Sequence, residues 1–132
     1  MIKLMIADDH KPTLTNYQDR FEKYYELFAV SEAGLGLDAI KAGTFMPHVI
    51  LSDYDFGIGC MTGVQFCIEL RRLGYKIPFI MISGNVEVQS LAAFCGATRG
   101  LMKGTSMSQI QKLVNIYGSV NTEDVDPNER VE

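Results

Sequence analysis

The run His48-Val49-Ile50-Leu51-Ser52-Asp53 decides the fold, because an apolar segment of strand length ends there at a carboxylate. Two other apolar runs end in the same way: Lys3 to Ala7 precedes Asp8-Asp9, and Phe79 to Ile82 precedes Ser83. Short, continuously apolar runs are typical of strands that are buried on both faces of a parallel sheet. The sequence therefore predicts a parallel sheet with polar side chains at the ends of its strands.

Segments with helical spacing of apolar residues separate these runs, and two more strands are predicted at Leu27 to Ser31 and Thr98 to Met102. Strictly alternating strands and helices predict a flavodoxin-like doubly wound α/β fold, (βα)5, with helices on both faces of a five-stranded parallel sheet in the order 2-1-3-4-5. The predicted helices run from Thr13 to Tyr25, Leu35 to Ala42, Val64 to Leu73, Val86 to Phe94 and Met107 to Tyr117, the last with Ser106 or Ser108 as its N-cap.

Length and composition limit the classes of function. A chain of 132 residues has room for one domain, predicted at residues 1–119, followed by an acidic flexible tail or linker remnant at residues 120–132. The net charge of -4 and the lack of a Lys/Arg run argue against direct contact with nucleic acid. The apolar start is far shorter than a signal peptide or a membrane span of about 20 residues, so a cytoplasmic protein without membrane contact is expected.

The carboxyl ends of the predicted strands bring chemically useful side chains to one edge of the sheet. In this fold ligands bind at that edge, between the first and third strands. Three carboxylates meeting there repel one another, and a divalent cation, Mg²⁺ or Mn²⁺, resolves that conflict because it prefers oxygen ligands. Asp9 and Asp53 are the predicted direct ligands, and Asp8 is predicted to act through water.

A carboxylate at such a site is able to act as a nucleophile and form an acyl phosphate. Asp53 is the predicted phosphoacceptor. Lys103, at the end of the fifth strand, and Ser83, at the end of the fourth, are predicted to orient the phosphoryl group and to balance the charge on its oxygens.

Short motifs in a fixed order identify a family resemblance. The motifs are IADDH at Ile6–His10, VILSD at Val49–Asp53, M-x-G at Met61–Gly63, ISG at Ile82–Gly84, GA at Gly96–Ala97 and LMKGTS at Leu101–Ser106. With these motifs in this order, the chain resembles, from Lys3 to about Gly118, the receiver domain of response regulators in two-component signal transduction.

The resemblance implies a phosphorylation-dependent switch rather than an enzyme that acts on an external substrate. A sensor histidine kinase would phosphorylate Asp53, and the conformational change would control an output domain or a partner protein. The backbone carbonyl of Asp55 would bind the metal, and Asp55 and Asn85 would tune loss of the phosphoryl group. A homodimer formed through the fourth and fifth strand-helix units is left open by the sequence.

The chain departs from the family pattern at three places. The loop from Tyr54 to Thr62 is about two residues longer than usual and has Gly57 where proline is common. Gly104 stands where the family often has a cis-proline, so a trans bond is expected after Lys103, because a cis bond to a non-proline residue costs about 2.5–4 kcal/mol. Gly100 aligns with the family's aromatic switch residue, so signal output must use another contact.

Two alternatives remain open from the sequence. Asp53-Tyr54-Asp55 also resembles the D-x-D motif of haloacid-dehalogenase-like phosphatases, although that motif follows their first strand and their last acidic motif follows the lysine. The second alternative is a receiver-like docking module that is not phosphorylated, and the three departures motivate it.

Overall fold

The computed structural model describes residues 1–120 as five alternating pairs of strand and helix. The elements are β1 (Lys3–Ala7), α1 (Lys11–Phe21), β2 (Glu26–Val30), α2 (Ala33–Ala42), β3 (Val49–Asp53), α3 (Gly63–Arg72), β4 (Phe79–Ser83), α4 (Val88–Cys95), β5 (Arg99–Met102) and α5 (Met107–Val120). The predicted acidic tail at residues 120–132 lies outside the described residues, apart from Val120 at the end of α5.

The five strands form one parallel sheet in the order β2-β1-β3-β4-β5, which confirms the predicted flavodoxin-like α/β fold. The register aligns the carboxyl ends of the central strands: Ala7 pairs with Ser52, Asp53 with Ile82, and Ser83 with Met102. Because all five strands point the same way, the residues that follow them lie along one edge of the sheet.

Alternating side chains of the strands build two separate cores, one on each face of the sheet. Met5, Ile50 and Met81 point to the core that α2, α3 and α4 cover. Leu4, Leu51 and Ile82 point to the opposite core, which α1 and α5 cover. Both faces are therefore buried, which explains why the strands are continuously apolar in the sequence.

Some element boundaries differ from the predicted ones by two to four residues, and the largest difference is at the end of α1, which stops at Phe21 rather than Tyr25. Helix α1 begins at Lys11 rather than Thr13, because Pro12 fits the first turn of a helix, where no backbone N–H is needed. Helix α4 begins at Val88 rather than Val86, because Asn85 holds the chain in a turn: its carbonyl accepts from the N–H of Val88 and its side chain accepts from the N–H of Glu87. Ser106 is the N-cap of α5, and its Oγ accepts from the N–H of Gln109 at 3.1 Å.

The cysteines differ in burial. Cys67 and Cys95 are buried free thiols, and Cys60, in the long β3–α3 loop, is a half-buried free thiol. Loops lie at the surface, which explains why Cys60 is the more accessible of the three.

The start of α3 is packed so closely against the end of β3 that only glycine fits. A Cβ atom on Gly63 would lie 2.4 Å from the carbonyl oxygen of Asp53, a backbone atom that cannot move aside. We expect Gly63→Ala to lower the free energy of unfolding by about 1–3 kcal/mol, as measured by urea denaturation. Gly34→Ala in α2 is the control: nothing lies within 4 Å of its Cβ position, so alanine should raise stability there. Equal effects at the two positions would contradict this packing argument.

Candidate functional site

Three carboxylates meet at the carboxyl edge of the sheet. Asp8 and Asp9 follow β1, Asp53 ends β3, and one oxygen from each lies within 4.8 Å of the others. Asp8 and Asp53 are buried, whereas Asp9 is exposed. The structure therefore brings together the three residues that the sequence predicted as a cation site.

The surroundings of this cluster make it unfavourable for all three carboxylates to be ionised at the same time. Burial, and then the charge of Asp8, raise the pKa of Asp53 to about 6, although Lys103 and the N–H of Tyr54 act in the opposite direction. Burial is also the main reason why the pKa of Asp8 is raised, with a smaller contribution from Asp9. A cation bound among these oxygens would remove both penalties, because it supplies the missing positive charge.

Hydrogen bonds hold the two buried carboxylates in place and leave oxygens available. Asp53 Oδ1 accepts from the N–H of Tyr54 at 2.9 Å and lies 3.6 Å from Lys103 Nζ. Asp8 Oδ1 accepts from the N–H of His10 at 2.9 Å. An all-oxygen donor set with one or two close carboxylates fits Mg²⁺ or Mn²⁺.

Ser83 and Lys103 join the same edge from the neighbouring strands. Ser83 is buried at the end of β4, and its Oγ accepts from the N–H of Asn85 at 3.0 Å, so its own proton remains available for donation. The backbone N–H of Lys103 donates to the carbonyl of Ser83 at 3.0 Å, which fixes the end of β5 beside the end of β4. The predicted residues of strands one, three, four and five thus lie along the same edge of the sheet.

The side chains of Asp55 and Asn85 accept hydrogen bonds from backbone groups of their own loops. Asp55 Oδ1 accepts from the N–H of Gly57 at 3.1 Å, and Asn85 Oδ1 accepts from the N–H of Glu87 at 2.8 Å. Both residues are exposed at the rim of the site. The metal contact of the Asp55 carbonyl and the influence of both residues on loss of the phosphoryl group stay predictions.

The structure explains the glycines at the three positions where the chain departs from the family pattern, Gly57, Gly100 and Gly104. A Cβ atom on Gly100 would lie 2.6 Å from the carbonyl oxygen of Val88, so the close packing of α4 on β5 leaves no room for an aromatic ring. The described residues contain no cis peptide bond, which confirms the trans bond expected after Lys103. Gly57 and Gly104 have φ of 100° and 96°, left-handed values that proline cannot adopt.

A cavity of about 390 Å³ adjoins the carboxylates between α1 and α5. Residue spacing does not predict this cavity, because its walls depend on how α1 packs beside α5 and on the loop after Lys103. The signal in the sequence was a tyrosine at a core-facing position, since a buried hydroxyl needs a hydrogen-bond partner. The cavity is lined by Asp8, His10, Thr13, Tyr17, Ile82, Met102, Lys103, Gly104, Thr105 and Ile110.

The fold is similar to that of many solved receiver domains. The receiver domain of the Francisella response regulator 1452 has a TM-score of 0.82 at 22% identity, over 92% of this chain and 99% of that one. A LuxR-family DNA-binding response regulator from Staphylococcus aureus has a TM-score of 0.78 at 17% identity, over 89% and 99%. The BeF3-activated DrrB receiver domain has a TM-score of 0.75 at 15% identity, over 89% and 97%. At these identities the similarity shows the fold alone.

None of the helices among residues 1–120 has the length and apolar character needed to cross a lipid bilayer.

Two further comparisons concern the amino-acid sequence. No curated protein matches the chain. The profile of the response regulator receiver domain family matches residues 4–115, and the acidic site lies within that range. Because the match extends over most of the chain, the protein belongs to the response regulator receiver domain family.

Proposed function

We propose that the protein is a phosphorylation-dependent signalling switch that accepts a phosphoryl group on Asp53. The observation that carries this proposal is the buried Asp53 carboxylate, 3.6 Å from a lysine ammonium and clustered with two other aspartates. Such an arrangement is unfavourable for a purely structural residue. It is useful for a carboxylate that must bind a cation and react with a dianionic group.

The reaction is the transfer of a phosphoryl group from a phosphohistidine of a sensor histidine kinase. A carboxylate oxygen of Asp53 attacks the phosphorus, and a new O–P bond forms. The P–N bond to the imidazole breaks, and its electron pair stays on the ring nitrogen, which then takes a proton from water. Lys103 balances the charge on the transferred oxygens, since its ammonium already lies beside Asp53.

Asp9 and Asp53 would hold a divalent cation directly, Asp8 would hold it through water, and the carbonyl of Asp55 would complete the protein ligands. When bound, Mg²⁺ or Mn²⁺ supplies positive charge that offsets the carboxylates and the phosphoryl oxygens. The oxygen donors within 4.8 Å of one another support this assignment.

Ser83 converts the chemical change into movement of a loop. Its Oγ accepts from the N–H of Asn85 in the β4–α4 loop, and phosphoryl oxygens on Asp53 would offer an acceptor for its hydroxyl proton. Reorientation of Ser83 toward the phosphoryl group therefore pulls on this loop and on the start of α4. The packing of Gly100 against Val88 links that helix to β5, in place of an aromatic side chain.

Receiver domains interact with histidine kinases and output domains, and they are generally not enzymes on external substrates. We therefore propose that the partners of this chain are a sensor histidine kinase and an output domain or partner protein. We also include a second copy of the chain, in a homodimer. The DNA-binding response regulator from Staphylococcus aureus is one relative in which a receiver fold accompanies a DNA-binding function. For this chain we propose contact with an output domain rather than with nucleic acid.

The test is incubation of the protein with acetyl phosphate and Mg²⁺, followed by mass spectrometry of the intact chain and its peptides. We expect a gain of one phosphoryl group on the peptide that contains Asp53, and no gain when EDTA removes the cation. Modification elsewhere, or modification that does not depend on the cation, would contradict the proposal.

A docking module that is not phosphorylated is the second candidate, and the close contact of Gly100 with Val88 favours it, because it leaves no room for the aromatic switch. Beryllofluoride separates the two candidates, since the similar DrrB receiver domain is activated by BeF3. A switch should show Mg²⁺-dependent chemical-shift changes in the β4–α4 loop when beryllofluoride is added. A docking module should show none.

A further inference from the structure

Tyr17 has a hydroxyl group without a partner in the described part of the chain. The residue lies in α1, its side chain is 7% exposed, and its ring stacks on Phe21 with centroids 6.1 Å apart. Within residues 1–120 the hydroxyl makes no hydrogen bond. A buried hydroxyl is normally satisfied by protein or by ordered water, so the partner of this hydroxyl is expected to be something other than a described protein group.

The other buried tyrosine of this core shows the ordinary arrangement. Tyr25 belongs to the same cluster of side chains, and its hydroxyl donates to Asn115 Oδ1 at 2.6 Å. Tyr25 is therefore satisfied by α5, and it precedes Glu26 at the amino end of the sheet, opposite the edge that holds the carboxylates. Tyr17 differs because its hydroxyl has no hydrogen bond to a described protein group and lies beside the functional site.

The Tyr17 hydroxyl faces the acidic site. Tyr17 lines the cavity together with Asp8 and Lys103. Burial, and then the nearby charges of Asp8 and Asp53, raise the pKa of Tyr17 to about 12. A phenol carries its proton at neutral pH even without such a shift, so the hydroxyl is available as a hydrogen-bond donor.

We propose that Tyr17 is a positioning residue for the divalent cation, and that its hydroxyl donates a hydrogen bond to a water molecule shared by Asp8 and the cation. This inference rests on the proposed function, because it requires the cation site. A cavity of about 390 Å³ has room for such water, and Asp8 forms part of its wall. Mg²⁺ keeps several of its waters when it binds to proteins, so a donor aimed at the hydration shell orients it.

The test compares Tyr17→Phe with the wild-type protein in Mg²⁺ titrations followed by amide chemical shifts in NMR spectra. Phenylalanine keeps the ring that stacks on Phe21 and removes only the hydroxyl. We expect the dissociation constant for Mg²⁺ to rise roughly tenfold, the lower end of the range for groups that orient metal ligands. The same spectra report whether the variant is folded.

Tyr25→Phe is the matched control, because it removes a buried hydroxyl of the same core at a distance from the carboxylates. It should leave the Mg²⁺ affinity unchanged and lower the urea midpoint. Tyr17→Phe should show the reverse pattern, with an unchanged or higher urea midpoint in EDTA, because no protein hydrogen bond is lost.

The outcomes separate this inference from the proposed function. A wild-type protein that does not respond to Mg²⁺ would overturn both. A wild-type protein that binds Mg²⁺ with the same affinity as Tyr17→Phe would overturn the role of Tyr17 alone. Equal losses of affinity in Tyr17→Phe and Tyr25→Phe would also overturn it, since the effect would then come from general destabilisation.

Discussion

Asp53→Asn is expected to abolish phosphoryl uptake and, at the same time, to make the cation-free protein more stable at pH 7. Asparagine has no carboxylate nucleophile, but its Oδ1 still accepts from the N–H of Tyr54. The pKa of Asp53 rises from 3.8 to about 6 on folding, so holding the ionised group in the folded protein costs about 3 kcal/mol at neutral pH. Removal of that charge should therefore raise the free energy of unfolding by an amount of this order.

The direction of the pKa shift of Asp53 determines how the free energy of unfolding changes with pH. Because the pKa of Asp53 is higher in the folded state, the folded protein binds the proton more tightly than the unfolded chain. The free energy of unfolding therefore falls as pH rises from 3.8 to about 6 and is constant above that range as far as Asp53 is concerned. The raised pKa of Asp8 acts in the same direction, and the lowered pKa of His48 acts in the opposite one. The difference between wild type and variant isolates Asp53.

Urea denaturation in EDTA between pH 4 and pH 8 measures this difference, and mass spectrometry after treatment with acetyl phosphate measures phosphoryl uptake. Asp19→Asn, on the exposed side of α1, is the matched control and should change neither property. A structural role for Asp53 would lower stability in Asp53→Asn. A stability gain together with continued phosphorylation would show that another residue is the acceptor.

The strand order and the acidic cluster are predictable because both follow from local pattern. Apolar runs that end at Asp8, Asp53 and Ser83 identify buried parallel strands, and the topology of the fold then brings the strand ends together. No contact between distant side chains has to be known for that step. The order of the short motifs adds the chemistry of the family.

The contacts that the sequence did not predict depend on distances between elements. That Gly63 lies against the Asp53 carbonyl, or Gly100 against Val88, follows from how closely a helix packs on a strand. The position of the Tyr17 hydroxyl depends on the cavity between α1 and α5. The start of α4 depends on hydrogen bonds that hold Asn85 in a turn. Residue spacing alone contains none of this information.

Lys103→Met is expected to slow phosphoryl uptake by about 10²- to 10³-fold while it changes stability little. The Lys103 ammonium lies 3.6 Å from Asp53 Oδ1, but its side chain is 59% exposed. An exposed ion pair contributes little to the free energy of folding, because water screens it. The same charge contributes much more when the transferred phosphoryl oxygens approach and displace water from the site.

A rate measurement over a range of pH distinguishes this role from simple attraction of an anionic phosphodonor. The charge of Lys103 lowers the pKa of Asp53, so in Lys103→Met the carboxylate should ionise at higher pH and the rise of the rate should shift upward. Lys112→Met, on the exposed face of α5, makes the same change of net charge and should leave both rate and profile unaltered. If the two variants slow the reaction equally, Lys103 acts only through net charge. If the profile of Lys103→Met shifts and its rate falls while Lys112→Met matches wild type, Lys103 stabilises the transferred group at the site.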